Sequence, residues 1–378
     1  MAEKKGSSAK PKPAAKKGAA KPKPKPRAKP KTKPKPKPKA QPKKLTVAVT
    51  GPTGDLGIAA LRALDASPQV GKVIGMARRP FDPAAHDLSE KVVYQQGDVL
   101  DRDSVDALVK GADVVMHLAF IIFGDPDEAH EINTRGSRNV FEAAVAAKAK
   151  RLVYTSSVAA YGFHEDNPQP LKEEVPTRGT EDFYYSAHKA ELEATLDEVL
   201  AGSKVDAYVF RPCIVAGAGA ITFVETLVGM LPVYGQLRLA RRLIDQVPFL
   251  GPILPDPGVD FQLVHTDDVA AALVAAVEGR GEPGRYNLAG PGALNVSRLA
   301  RALGWWSVPI PGPAVDAIDE LTSRLPGMPA ETAWLTAFTV PVLMDTRKAR
   351  DQLGWDPQWD ALSTLRETIA GAREADVL

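Results

Sequence analysis

In EDFYYSAHKAE (181–191), two tyrosines, a histidine and a lysine fall within six positions. Residues four apart share one face of a helix, so Tyr185 meets Lys189 while Tyr184 meets His188. A phenol with an ordinary pKa of about 10 transfers protons near neutrality only if a neighbouring cation draws that value down. Tyr185 beside the Lys189 ammonium is therefore a candidate general acid/base. An amphipathic helix with aromatic ballast would use the same residue types, and the faces separate the two tyrosines. Tyr185, Lys189, Leu192, Leu196 and Val199 form a stripe that must meet a core. Tyr184, His188, Glu191, Thr195 and Glu198 form a polar face directed at solvent, so Tyr184 is expected at a rim and His188 as an exposed helical histidine.

Such a helix needs a framework, and the chain from Leu45 supplies one. Short β-branched runs alternate with helical patterns: LTVAVT, DLGIAALRALDA, KVIGMA, VVYQQGD, SVDALVKG, DVVMHLAF, TRGSRNVFEAAVAAK, RLVYTSS, the tyrosine helix and AYVFRPCIVAG. Six strand candidates alternating with helices predict a doubly wound parallel sheet, covered on both faces. Beyond about Gly217 the pattern loosens into Pro- and Gly-rich segments, with a return to the sheet through FQLVHTDDVAAALVAAV and RYNLAG.

The first strand runs into TGPTGDLG (50–57). Gly51, Gly54 and Gly57 are spaced for a tight turn, close backbone approach to a pyrophosphate and close helix–strand packing. A dinucleotide is thus expected on the loop Gly51, Thr53, Gly54, Asp55, Leu56 and Gly57, at the N-terminus of the next helix. About 20 residues on, where an acid would bind the ribose of NAD, the chain reads GMARRP. Ala77 stands in place of the acid, and Arg78 and Arg79 beside it favour NADP over NAD.

The near-neutral total of 48 basic and 46 acidic residues hides two unlike parts. Residues 1–44 carry 17 Lys and Arg27 against Glu3, a charge of +17, which leaves −15 on the remainder. Alternating Lys and Pro remove backbone donors and offer no apolar face, so this arm is predicted to be disordered and extended. It is either a tether that meets nucleic acid, acidic protein or an anionic membrane surface by charge alone, or a solvated arm with no dedicated partner. It lacks the features of a transit or signal peptide and is read as cytoplasmic. The one cysteine, Cys213, excludes an intrachain disulfide, and six scattered histidines show no metal-ligand spacing. The apolar stretch 216–236 is broken by Glu225 and Pro232, which suits a substrate-lid or surface element better than a membrane span.

From Leu45 to about Pro357 the chain resembles the extended short-chain dehydrogenase/reductases, the group containing the NAD-dependent epimerases and dehydratases. The resemblance rests on TGPTGDLG, Gly97-Asp98-Val99, DVVMHLAF, NTRGSRN, YTSSVAAYG, YYSAHK, FRPCIVAG and DTRKARDQLGWDP in that order. It implies a Rossmann-like fold, with Asp98 and Val99 toward adenine and Leu118, Ala119 and Pro212 along the cofactor cleft. Asn133 would organise the active site, and Lys189 would also hold the nicotinamide ribose. The working serine lies four residues before the Tyr-Gly pair, which gives Ser157, while strand alternation turns Ser156 away. Tyr161 is then a cleft wall or packing residue. A homodimer is also implied.

The expected division is a tail (1–44), a dinucleotide-binding domain (45–217, its sheet completed by about 259–289), a substrate lobe (218–258 and 290–345) and a C-terminal helical segment (346–378). The implied activity is hydride transfer between nicotinamide and a carbonyl or hydroxyl of a small substrate. Nucleotide-sugar members carry an Asn where Ile214 follows Arg211, and an Arg where Phe261 stands. Those departures, with the apolar stretch 216–236, Trp305 and Trp306, suggest a rather apolar substrate, although the same residues would also serve as core. Two other readings stand beside it: a nucleotide-sugar epimerase or dehydratase with retained cofactor, and a non-catalytic NADP-binding scaffold tethered to a polyanion.

Overall fold

Val47 and Val49 project from β1 (Leu45–Thr50) into one layer of helices and Ala48 into the other, the period-two pattern of a strand covered on both faces. The structure, a computed structural model, describes residues 43–122, 126–181, 183–229, 252–311 and 340–378. The arm up to residue 42, the apolar stretch from 230 onward and residues 312–339 of the expected lobe lie outside these residues.

The predicted strands follow in sequence: β2 (Val70–Ala77), β3 (Val92–Gln96), β4 (Val114–His117), β5 (Arg151–Thr155) and β6 (Asp206–Pro212). After them come β7 (Ile214–Ala216), β8 (Ile253–Asp256), β9 (Leu263–His265), β10 (Gly284–Leu288) and β11 (Trp306–Pro309). Seven strands form a parallel sheet in the order β3-β2-β1-β4-β5-β6-β10. The winding reverses between β1 and β4, which opens a crevice at the carboxyl ends of these strands.

One expectation needs correction. RYNL enters the sheet as β10 beside β6, but the preceding LVH does not; as β9 it pairs with β7 in a separate two-stranded ladder.

The helices are α1 (Asp55–Ala66), α2 (Arg102–Val109), α3 (Pro126–Glu131), α4 (Ser137–Ala146), α5 (Tyr184–Leu200), α6 (Thr222–Gly229), α7 (Thr266–Val277), α8 (Val296–Leu303), α9 (Arg347–Leu353) and α10 (Ala361–Glu374). Leu61 and Leu64 of α1, with Val269 and Leu273 of α7, pack on Val47, Val73, Val114 and Phe210. Val105, Phe141, Leu192 and Leu196 from α2, α4 and α5 pack on Ala48, Val115, Leu152 and Val209. A third apolar cluster joins Val224, Leu254, Leu299, Trp305 and Ile369, off the main sheet.

Asp268 pins the C-terminal segment: its carboxylate accepts the Gln358 and Trp359 N–H groups (2.8 and 3.1 Å) and its carbonyl accepts the Trp355 indole N–H (2.7 Å). No helix among the described residues is long and apolar enough to cross a membrane.

Candidate active site

The crevice begins at the glycine loop. Gly51 adopts φ +72, and a Cβ there would lie 2.6 Å from the Ala119 nitrogen, so β1 can pass this close to the end of β4 only with glycine. A Cβ on Gly57 would lie 2.2 Å from the Gly51 carbonyl oxygen. Gly54 caps α1 in an extended conformation with no side-chain cap, which leaves the first N–H groups of a 12-residue helix pointing into the crevice. This backbone cradle fits a pyrophosphate. Asp55 opens the helix; nearby α6 strips water from its carboxyl and raises its pKa, opposed by a hydrogen bond from Thr222 (3.1 Å).

The opposite wall comes from α5. Tyr185 and Lys189 are both buried and both line the cleft; Ser157 does not line it, and its hydroxyl accepts the Ala159 N–H (3.1 Å) from a place close enough to Tyr185 to pull on that phenol's pKa. Burial pushes the Tyr185 phenol up to about 12, against the pull of Ser157. Burial pushes Lys189 the other way, down to about 7, opposed by Glu193 one turn later. Tyr185 is thus held up by dehydration rather than drawn toward neutrality by the ammonium, contrary to the simple expectation. Lys189 Nζ donates to the Thr155 carbonyl (3.0 Å) and lies 3.6 Å from the centroid of the Phe120 ring, which stands edge-on to Tyr185.

Phe120 is fixed by its neighbours. Asn133, fully buried in the single π turn Ile132–Gly136, accepts the Ile121 N–H (2.8 Å) and donates to the Ile121 carbonyl (2.9 Å). The Tyr184 phenol donates to the Ile122 carbonyl. Asn133 therefore organises the cleft through the backbone of the loop after β4. The polar face assigned to α5 is also corrected here. His188 is buried and joins His130 of α3 (Nε2 to Nδ1, 2.9 Å), and burial, then His130, lowers its pKa. Tyr184 is a structural donor from the same face of α5 to the loop after β4; the helix alone could not reveal that this loop and α3 cover the face.

Below Lys189 lies a buried ionic cluster that no sequence motif marks. Arg211 grips Glu193 with two bonds (2.8 and 2.6 Å), and the Ser156 hydroxyl donates to the same carboxylate (2.7 Å). Burial works against the charge, but the Arg211 hydrogen bonds outweigh it and hold Glu193 below the usual carboxylate range. The signal was present, since Glu193 follows Lys189 by four residues on a buried face. Ser156 borders the cleft, although its hydroxyl does turn away. Tyr161 packs in the interior, its phenol donating to Asn287 (2.7 Å).

The cleft, about 320 Å³, continues past Leu118, Phe120 and Ile122 to Ile214, Phe223 and Leu227. Gly51, Gly54, Asp55, Leu56, Gly57, Leu118, Tyr185, Lys189 and Pro212 all line it. Cys213 does too, its thiol pushed up by burial. Ala119 lies directly behind Gly51, and Val99 packs against Gly136. Thr53, Arg78 and Arg79 are exposed; Arg78 pairs with Glu128 (3.5 Å), and the Asp98 carboxylate accepts the Leu100 N–H (2.9 Å). Neither tryptophan forms a wall: Trp305 sits in the third apolar cluster and Trp306 is 48% exposed on β11. The apolar character expected of the pocket comes from the β4 loop, β7 and α6 instead.

A doubly wound sheet with a glycine cradle at its switch point and a Tyr/Lys pair across the crevice defines a dinucleotide-binding α/β protein. The model of the NAD dependent epimerase/dehydratase family matches residues 47–289, and the chain belongs to that family. An uncharacterized protein of Mycobacterium tuberculosis is 27% identical over 334 residues, 87% of this chain but only 30% of its own length. Human 3 beta-hydroxysteroid dehydrogenase type 7 is 34% identical over 200 residues, 47% of this chain and 52% of that protein, so the chain spans about half of it. Among solved structures, the Bordetella bronchiseptica enzyme WbmH in complex with NAD+ has a TM-score of 0.65 at 19% identity, covering 89% of this chain and 100% of that one. UDP-glucose 4-epimerase of Thermotoga maritima has a TM-score of 0.64 at 17% identity, covering 88% and 99%. At these identities the likeness is one of fold.

Proposed function

We propose that the chain is an NAD(P)-dependent oxidoreductase of the extended short-chain type, acting on a carbonyl or hydroxyl of a small, rather apolar substrate. The observation that carries this reading is the buried pair Tyr185 and Lys189, one turn apart on α5 and both lining one cleft that runs from the glycine cradle to an apolar end, with Ser157 close behind Tyr185. The loop Gly51–Gly57 would hold the pyrophosphate, with Leu118, Pro212 and Lys189 further along. The nicotinamide, when bound, supplies or accepts the hydride. Tyr185 gives a proton to the substrate oxygen or takes one from it, and Ser157 holds that oxygen. Lys189, charged below about pH 7, favours the tyrosinate that proton donation leaves behind. Asn133 acts as a positioning residue through Ile121. Arg78 and Arg79, exposed at the end of β2, support a preference for the 2′-phosphate of NADP.

Purified protein should oxidise NADPH at 340 nm with members of a panel of apolar ketones and aldehydes, and Tyr185→Phe should lower turnover by about 10²–10⁴-fold. Cofactor that co-purifies and shows no net absorbance change during turnover of a nucleotide sugar would replace this reading with an epimerase. Unchanged activity in Tyr185→Phe would remove the assigned chemistry altogether.

A further inference from the structure

Several arginines of the described chain end on carboxylates, as Arg102 does on Asp106 and Glu142, Arg138 on Glu198 and Arg178 on Asp166. Arg298 and Arg301 of α8 and Arg366 of α10 behave differently. They are exposed, none forms a direct ion pair with a carboxylate among the described residues, although Arg366 attracts Asp360 at longer range, and all three open on one depression of about 550 Å³. Among the described residues, this depression shares no lining residue with the cleft. Arg298 is braced by donation to the Ala293 carbonyl (2.9 Å), which leaves the rest of its guanidinium available. Among the described lining residues Asp360 is the only acid, and its carboxylate is engaged in capping α10, accepting the Ser363 N–H (2.7 Å). Leu294 is a buried apolar part of the lining, and Leu362 is an exposed one at 40%.

Three guanidinium groups without a direct carboxylate contact, and with Asp360 as their one acidic neighbour among the described lining residues, repel one another on a body whose net charge beyond the arm is −15. Guanidinium forks match phosphate oxygens in pairs, and the depression falls in the size range of small-molecule sites, about 300–1,000 Å³. We propose that it binds a small organic phosphate with at least two anionic charges, of the diphosphate type, its uncharged body resting on Leu294 and Leu362. Three arginines set against Asp360 leave a local charge that such a group neutralises.

The Lys-rich arm and the glycine loop also attract phosphate, so the test must resolve individual arginines. The full chain, with excess NADP present, is treated with phenylglyoxal, and each arginine is followed by peptide mass spectrometry. Inorganic pyrophosphate is expected to slow modification of Arg298, Arg301 and Arg366 about fivefold or more, and to leave exposed Arg62 and Arg373 unchanged. In the Arg301→Gln/Arg366→Gln variant, protection of Arg298 should need about tenfold more pyrophosphate. A nucleoside diphosphate should protect at lower concentration than pyrophosphate; weaker protection would overturn the role of the apolar rests. Equal slowing at Arg62 and Arg373, equal slowing by sodium chloride at matched ionic strength, or no slowing would overturn the site.

Discussion

Lys189 is the most constrained side chain of the cleft, because burial opposes its charge while Glu193 and the Phe120 ring favour it. With a folded pKa of about 7 against the ordinary 10.5, the unfolded lysine still holds its proton in a range where the folded one has lost it. Unfolding therefore takes up a proton between these values, and stability should rise with pH across that window, by on the order of a few kcal/mol. Thermal unfolding from pH 6 to 10, as a set of about five buffers, would show that slope in the native protein and its loss in Lys189→Met. Replacing Phe120 by Leu keeps the site dry but removes the ring, so the ammonium loses about 0.5–2 kcal/mol of attraction and its pKa should fall further. NMR titration of the lysine would read this directly, and an upward shift would contradict it. The pairing of Tyr185 with Lys189 was legible from a four-residue spacing. Tyr185's raised pKa was not, since dehydration depends on how closely the β4 loop, β5 and α5 approach, and spacing carries no such information.

At the level of elements, the six alternating strands and the helix face Leu192–Leu196–Val199 were readable because hydrophobic periodicity reports one local geometry at a time. What sequence periodicity missed was where elements cover each other. His188 looked solvent-facing on α5 until α3 brought His130 against it, and β9 looked like a sheet strand until β7 took it as a partner. The Arg211–Glu193 pair ties β6 to α5 in the same non-local way, one helical turn from Lys189. Arg211→Met should leave Glu193 buried without its main partner and cost about 3–5 kcal/mol, measured by denaturant unfolding. Arg285, 3.5 Å from the same carboxylate, would keep the loss from being larger. A variant as stable as the native chain would mean that the cluster repacks freely.

At the scale of the whole molecule, charge divides the chain more sharply than any fold boundary, +17 on the first 44 residues and −15 beyond. If the arm acts by charge alone, removing residues 1–44 should abolish salt-sensitive binding to DNA or anionic vesicles and leave turnover intact. Turnover lost with the arm would instead show that it takes part in the active site. The body also carries a built-in gauge. Cys213 is the only thiol in the chain, lies in the cleft wall where β6 passes into β7, and is kept neutral by burial. A neutral thiol in a cleft wall reacts slowly, and only with a reagent that reaches it through the cleft. Its alkylation rate is thus a gauge of access to the cleft, read from a single mass shift in the unmodified protein, and any ligand that fills the cleft will slow it in proportion to its occupancy.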